Sequence, residues 1–175
     1  ASDVYKRQMY TLIDPIQGGK KKELLDVIKN CAYLNKTSLH YRYNGAFDYE
    51  RGNINIYYTG FSDSNTGNWI FDDGQVSLQE IIETVDAVFD DDNYNINIYS
   101  DCSYSGHWVH QLEKKKIQIR ANSAVNIYAA SDGKAYGTKQ GGIFTLIMTG
   151  KIQNEEDFKE FDDCFEKHSV APQSH

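Results

Sequence analysis

A carboxylate, a thiol and a hydroxyl stand side by side where a β-prone run, Asn-Ile-Asn-Ile-Tyr-Ser, leads into Asp101-Cys102-Ser103-Tyr104-Ser105-Gly106. A thiol or hydroxyl at a strand end is a candidate nucleophile, and it needs a base to take its proton. The nearby imidazoles are His107 and His110, four and seven residues after Ser103, near one face of the segment that follows. That segment reads as a helix leading away from the strand end, which argues against a Ser103–His107 pair. Successive strand side chains point to opposite faces, so in extended geometry the Cys102 sulfur turns away from the Ser103 direction. The plainer role for Cys102 is a small side chain packed under the sheet. His107 and His110 together raise a metal site, but no third ligand at convincing spacing accompanies them, and neither metal nor cofactor is expected.

The elements that must position these residues are legible as periods. Met9 to Asp14 reads as the end of a strand stopped by Pro15. Lys20 to Leu34 has helical spacing through Leu24, Leu25, Val27, Ile28 and Cys31. Residues 35–51 read as irregular, with a short strand possible at Ser38 to Tyr43. Asn53 to Thr59 alternates as a strand and ends at Gly60. A polar loop, Ser62 to Asn68, precedes Trp69-Ile70-Phe71 and the turn Asp72-Asp73-Gly74.

Ser77 to Phe89 is an amphipathic helix, with Ser77 and Glu80 spaced as a capping box. Further strands are expected at Asn95 to Ser100 and Val125 to Ser131. Helices are expected at His107 to Lys116, Ile143 to Met148 and Asn154 to Lys167, the last carrying Phe158, Phe161 and Phe165 on one side. Strands alternating with helices imply an α/β fold with a mostly parallel sheet covered on both faces. Function in such sheets gathers at the carboxyl ends of the strands, which brings the turns at Gly60 and Asp101 together.

The chain has 175 residues, enough for one domain with a real core, and 40% of them are hydrophobic. A mean hydropathy of −0.62 reflects abundant Asn, Asp, Lys and Tyr. The net charge of −7 argues against nucleic acid as a partner. Lys20 to Lys22, Lys114 to Lys116 and Asp90-Asp91-Asp92 read as solvated helix ends. No apolar run approaches the roughly 18 residues of a membrane span, and no signal peptide is visible, so a cytoplasmic protein is expected. Three widely spaced cysteines, Cys31, Cys102 and Cys164, favour a reducing compartment over a disulfide framework.

Residues 1–8, Ala-Ser-Asp-Val-Tyr-Lys-Arg-Gln, look like the translation of a sequencing adapter. They are set aside from the fold, with a native chain expected to extend upstream of Met9. Residues 9–150 are then the domain, and 151–175 a C-terminal helix and tail.

At its two turns the chain resembles the caspase-like cysteine peptidases: caspases, metacaspases and paracaspases. Tyr57-Tyr58-Thr59-Gly60-Phe61-Ser62, with Gly67-Asn68-Trp69 after it, is similar to the family's strand that ends Tyr-Tyr-Ser-Gly-His-Gly. Asp101-Cys102-Ser103-Tyr104-Ser105-Gly106 resembles its Asp-x-Cys-x-Ser-Gly. Ala129 to Asp132 followed by Gly142-Ile143-Phe144-Thr145 looks like the next strand and helix. The resemblance implies a three-layer α-β-α sandwich, here without the family's first strand. It also implies an acidic pocket in which Asp101, with Asp132 near, selects a basic residue before the cut. Alternatively, Asp101 only orders its turn through backbone amides.

The departures fall on the chemistry. Phe61 stands at the catalytic histidine position and Ser103 at the nucleophilic cysteine position, with Cys102 one place early. Phenylalanine carries no proton, and a serine hydroxyl is much less acidic than a thiol. Loss of one member of such a pair has cost about 10⁶-fold in turnover in a serine protease. The expectation is a pseudo-peptidase that binds a peptide, or a related caspase-like domain, without cutting. The alternative is an active endopeptidase using Cys102 or Ser103.

Overall fold

The computed structural model describes residues 19–43, 52–90, 92–135, 137–138 and 141–160. The adapter-like segment, the strand expected at Met9 to Asp14, Phe161, Cys164 and Phe165 lie outside them. In chain order the elements are α1 (Lys21–Tyr43), β1 (Gly52–Thr59), β2 (Trp69–Phe71), β3 (Gly74–Val76), α2 (Leu78–Phe89) and β4 (Tyr94–Asp101). They continue with α3 (Gly106–Glu113), β5 (Ala124–Ala129), β6 (Gly137–Thr138), β7 (Gly141–Gly142), α4 (Ile143–Met148) and α5 (Glu155–Glu160).

The chain is mixed α/β, and its main sheet has three parallel strands in the order β1-β4-β5. Both strand pairings align like with like. Ile54 lies beside Ile96, and Ile56 beside Ile98, which lies beside Ile127. On the opposite face Asn55, Asn97 and Asn126 form one row, and Tyr57, Tyr99 and Tyr128 the next. The isoleucine face is buried under α1 and α2, which contribute Ile28, Ala32, Leu78, Ile81, Ile82, Val85 and Phe89. Trp69, Val76 and Trp108 extend this core. Among the described residues the asparagine–tyrosine face keeps much of its solvent contact, with Tyr57 57% and Tyr128 41% exposed. No helix among them is long and apolar enough to cross a membrane.

Several local expectations change. Residues 35–43 continue helix α1 instead of breaking into an irregular stretch with a strand at Ser38 to Tyr43. Apolar periodicity stops near Leu34, but polar tethers take over. Asn35 Nδ2 donates to Asn53 O (2.8 Å) and Lys36 Nζ to Val88 O (3.2 Å). The turn after Phe71 closes a hairpin, because Trp69 pairs with Val76 and both are buried. Helix α3 stops at Glu113, short of Lys116, where Lys115 takes a left-handed φ of 53° that ends a helix. The third strand ends at Ala129 rather than Ser131, whose carbonyl instead accepts from Gly106 N (3.0 Å). The last helix begins at Glu155, with Asn154 Oδ1 accepting from Asp157 N (2.9 Å), and is described to Glu160.

The Ser77–Glu80 capping box forms in both directions, at 3.1 Å each way. Ser77→Ala should therefore lower stability by about 1 kcal/mol. Urea unfolding should show this as a lower midpoint at unchanged slope.

Candidate functional site

Parallel pairing of Thr59 with Asp101 sets the tips of β1 and β4 side by side. The turns beyond them stay together: Ser62 Oγ donates to the Ser103 carbonyl. The loop after β1 is folded on Asp63, whose Oδ1 accepts from Asn65 N (2.9 Å), Thr66 N (3.0 Å) and Thr66 Oγ1 (3.0 Å). This loop carries the chain to Trp69, whose ring stacks on Tyr58 at 4.3 Å and lies 4.8 Å from Trp108. The two tryptophans are the floor on which both strand tips rest.

The residues singled out in the sequence divide into exposed and buried sets. The Phe61 ring is 45% exposed, while its carbonyl accepts from Tyr58 Oη (2.6 Å) and Ile70 N (3.0 Å). Gly60 lets the chain leave β1 over Tyr58, whose hydroxyl lies 2.7 Å from where a Cβ would stand. Ser103 is buried, and its Oγ accepts from Ala135 N (2.9 Å). That bond ties down the loop after β5, as do Tyr104 N to Gly133 O (2.6 Å) and Gly106 N to Ser131 O (3.0 Å). Tyr104 makes this turn with a φ of 58°, uncommon for a residue bearing a Cβ.

Cys102 is wholly buried, its sulfur 3.2 Å from Ser100 Oγ, which also accepts from Trp69 Nε1 (2.9 Å). Burial pushes the Cys102 thiol up to about 11, outweighing the hydrogen bonds from Ser100 and Ser62. The same environment holds the Tyr58 phenol well above its ordinary value, mainly through burial and then the proximity of Cys102. At neutral pH Cys102 is a thiol, not a thiolate, and the thiolate is the nucleophile.

The imidazoles are engaged elsewhere. His107 Nε2 lies 3.0 Å from Ser64 O, bracing the loop after β1. His110 Nε2 lies 3.3 Å from Asp132 Oδ1, and its Nδ1 3.5 Å from Glu113. Among the described residues the Ser103 hydroxyl has Ala135 N as its partner and no imidazole bonded to it. Among the described residues no three of His, Cys, Asp and Glu gather in a way that could hold a metal.

The two aspartates take different positions. Asp132 has a side chain 79% exposed and packs against Gly106, where any Cβ would collide with its carboxylate. Asp101 is 2% exposed, and its Oδ2 accepts from Thr145 N (2.9 Å) and Thr145 Oγ1 (2.6 Å). The residue at the start of α4 is Gly142, which has no side chain to cap the helix, so Asp101 caps it from the sheet. A Cβ on Gly142 would strike this carboxylate. Thr145 and the buried hydroxyls of Ser62 and Ser100 were not legible as partners of these turns. Their signal is only a small polar residue, and the bonds of Ser62 to Ser103, Ser100 to Trp69 and Thr145 to Asp101 span more than thirty positions.

No family model matches the chain, and no curated protein or solved structure matches it either.

Burial raises the Asp101 pKa, outweighing the hydrogen bonds from Thr145. The sign follows: a carboxyl whose pKa is higher folded than unfolded favours folding when protonated, and that contribution is lost as pH rises through the folded value. Asp101→Asn keeps an acceptor for Thr145 and removes the charge. Its stability relative to the unsubstituted chain should therefore rise with pH above about 4. Unfolding midpoints across a pH series check this, and a pH-independent difference would rule the carboxyl out as the titrating group.

Proposed function

We propose that the chain is a caspase-like pseudo-peptidase that holds a peptide or a related caspase-like domain at the tips of β1 and β4 without cutting it. The observation that carries this reading is that the tips adjoin yet, among the described residues, hold no paired nucleophile and base. The Ser103 hydroxyl is buried on Ala135 N, Cys102 is a buried thiol, and His107 and His110 are turned to Ser64 and Asp132. Hydrolysis of a peptide bond needs both an activated nucleophile and a proton carrier for the leaving amine.

The exposed groups beside the turns are Phe61, an apolar contact, and the Asp132 carboxylate, an anionic contact already 3.3 Å from His110 Nε2. This combination suits an extended peptide with a basic side chain, held by a charge-assisted hydrogen bond. Asp101 is buried and serves by fixing α4 through Thr145. Because the carbonyls of Phe61 and Ser103 are held by protein donors, the tips are stiff before a ligand arrives.

Incubation with a peptide library covering Arg, Lys and Asp before the scissile bond should give no cleavage. Peptides with Arg or Lys should bind saturably, several-fold more weakly after Asp132→Ala. A thiol-directed electrophile at neutral pH should not label Cys102 selectively. Cleavage that disappears on Ser103→Ala or Cys102→Ala would overturn the proposal in favour of an active endopeptidase.

A further inference from the structure

The same tripeptide occurs in each strand of the main sheet: Asn55-Ile56-Tyr57, Asn97-Ile98-Tyr99 and Asn126-Ile127-Tyr128. The parallel register places all three level. On the open face the asparagines form a directional chain, with Asn126 Nδ2 donating to Asn97 Oδ1 (2.9 Å) and Asn97 Nδ2 to Asn55 Oδ1 (3.0 Å). One row on, the tyrosine rings stack, Tyr57 on Tyr99 at 4.2 Å and Tyr99 on Tyr128 at 4.8 Å.

Among the described residues both rows stop with their chemistry unfinished: at the β5 side Asn126 Oδ1 is left as an acceptor, and at the β1 side Asn55 Nδ2 is left as a donor. Reversing every amide would reverse the direction and leave the two ends complementary. The outer faces of Tyr57 and Tyr128 are exposed. Among the described residues β5 pairs only with β4 and β1 only with β4, so each is an edge. Neither Gly52–Thr59 nor Ala124–Ala129 contains a charged residue or a proline. Those are the usual means by which edge strands are kept from pairing, and they are missing in a chain that is 25% charged.

We infer that the β5 edge of one copy pairs in parallel with the β1 edge of a second copy, running the asparagine and tyrosine rows across the junction without a break. Asn126 then meets the neighbour's Asn55, and Tyr128 stacks on its Tyr57, reproducing the spacing within each sheet. The occupant is a copy of this chain because the missing donor, acceptor and ring face at one edge are those present at the other. Asparagine ladders and stacked aromatics are the devices that join identical strands in cross-β assemblies. The contact joins two different surfaces, so it does not close on itself, and it extends to further copies. The net charge of −7 per copy opposes it, so association strengthens as salt screens that charge.

Sedimentation velocity over a concentration series should show a weight-average mass rising beyond the dimer, more steeply at high salt. Tyr57→Lys and Tyr128→Lys each place a charge at one edge, at exposed positions where folding should survive; circular dichroism checks this. Each variant alone should remain monomeric. Mixed, they should form a one-to-one dimer and nothing larger, because one supplies an intact β5 and the other an intact β1. An unsubstituted chain that is monomeric throughout would overturn the inference. So would a closed dimer that persists in Tyr57→Lys alone, which would mean β5 pairing with itself.

Discussion

Everything in this molecule depends on the level parallel register of β1, β4 and β5. A strand has a side-chain period of two, so a slip of one residue would exchange the faces of the sheet. In register, the isoleucines face α1 and α2, while the asparagines and tyrosines face away. The hydrophobic core and the polar rows are two sides of one constraint, and each penalises the slip that would destroy the other. Cross-strand pairs on one face contribute about 0.2–1 kcal/mol each, which makes the rows a second guarantee of alignment beside the core.

The same period decides what the strand tips can do. Asp101, Cys102 and Ser103 are consecutive, yet they serve three different neighbourhoods. Asp101 meets α4, Cys102 enters the core beside Ser100, and Ser103 holds the loop that leads to Ala135. Three side chains that look like a reactive cluster in the sequence are separated by the geometry of the strand end. Each is engaged in a structural contact, while Phe61 and Asp132 stay exposed.

Features governed by local rules were legible in advance. The Ser77–Glu80 box, the period of α2 and the three strands follow from residues within a few positions of one another. The extension of α1 was not, because Asn35 and Lys36 act on carbonyls of Asn53 and Val88, partners that only the fold reveals. The role of Asp101 was hidden for the same reason: its partner is 44 residues away. The alternation of asparagine and isoleucine in β1 and β4 did carry a signal that one face is polar. A sheet covered on both faces would read instead as nearly continuous apolar runs. The burial of Cys102 was anticipated from strand alternation, whereas its coupling to Trp69 through Ser100 was not.

The bond between Asp101 and Thr145 has a kinetic meaning. Helix α4 is only six residues long and begins at a glycine, so it lacks the means to nucleate on its own. Its cap arrives with the finished end of β4, and closing that contact spans a loop of more than forty residues. The cap therefore ties the short helix to the finished end of β4, so that local opening at that strand tip removes what holds the helix start.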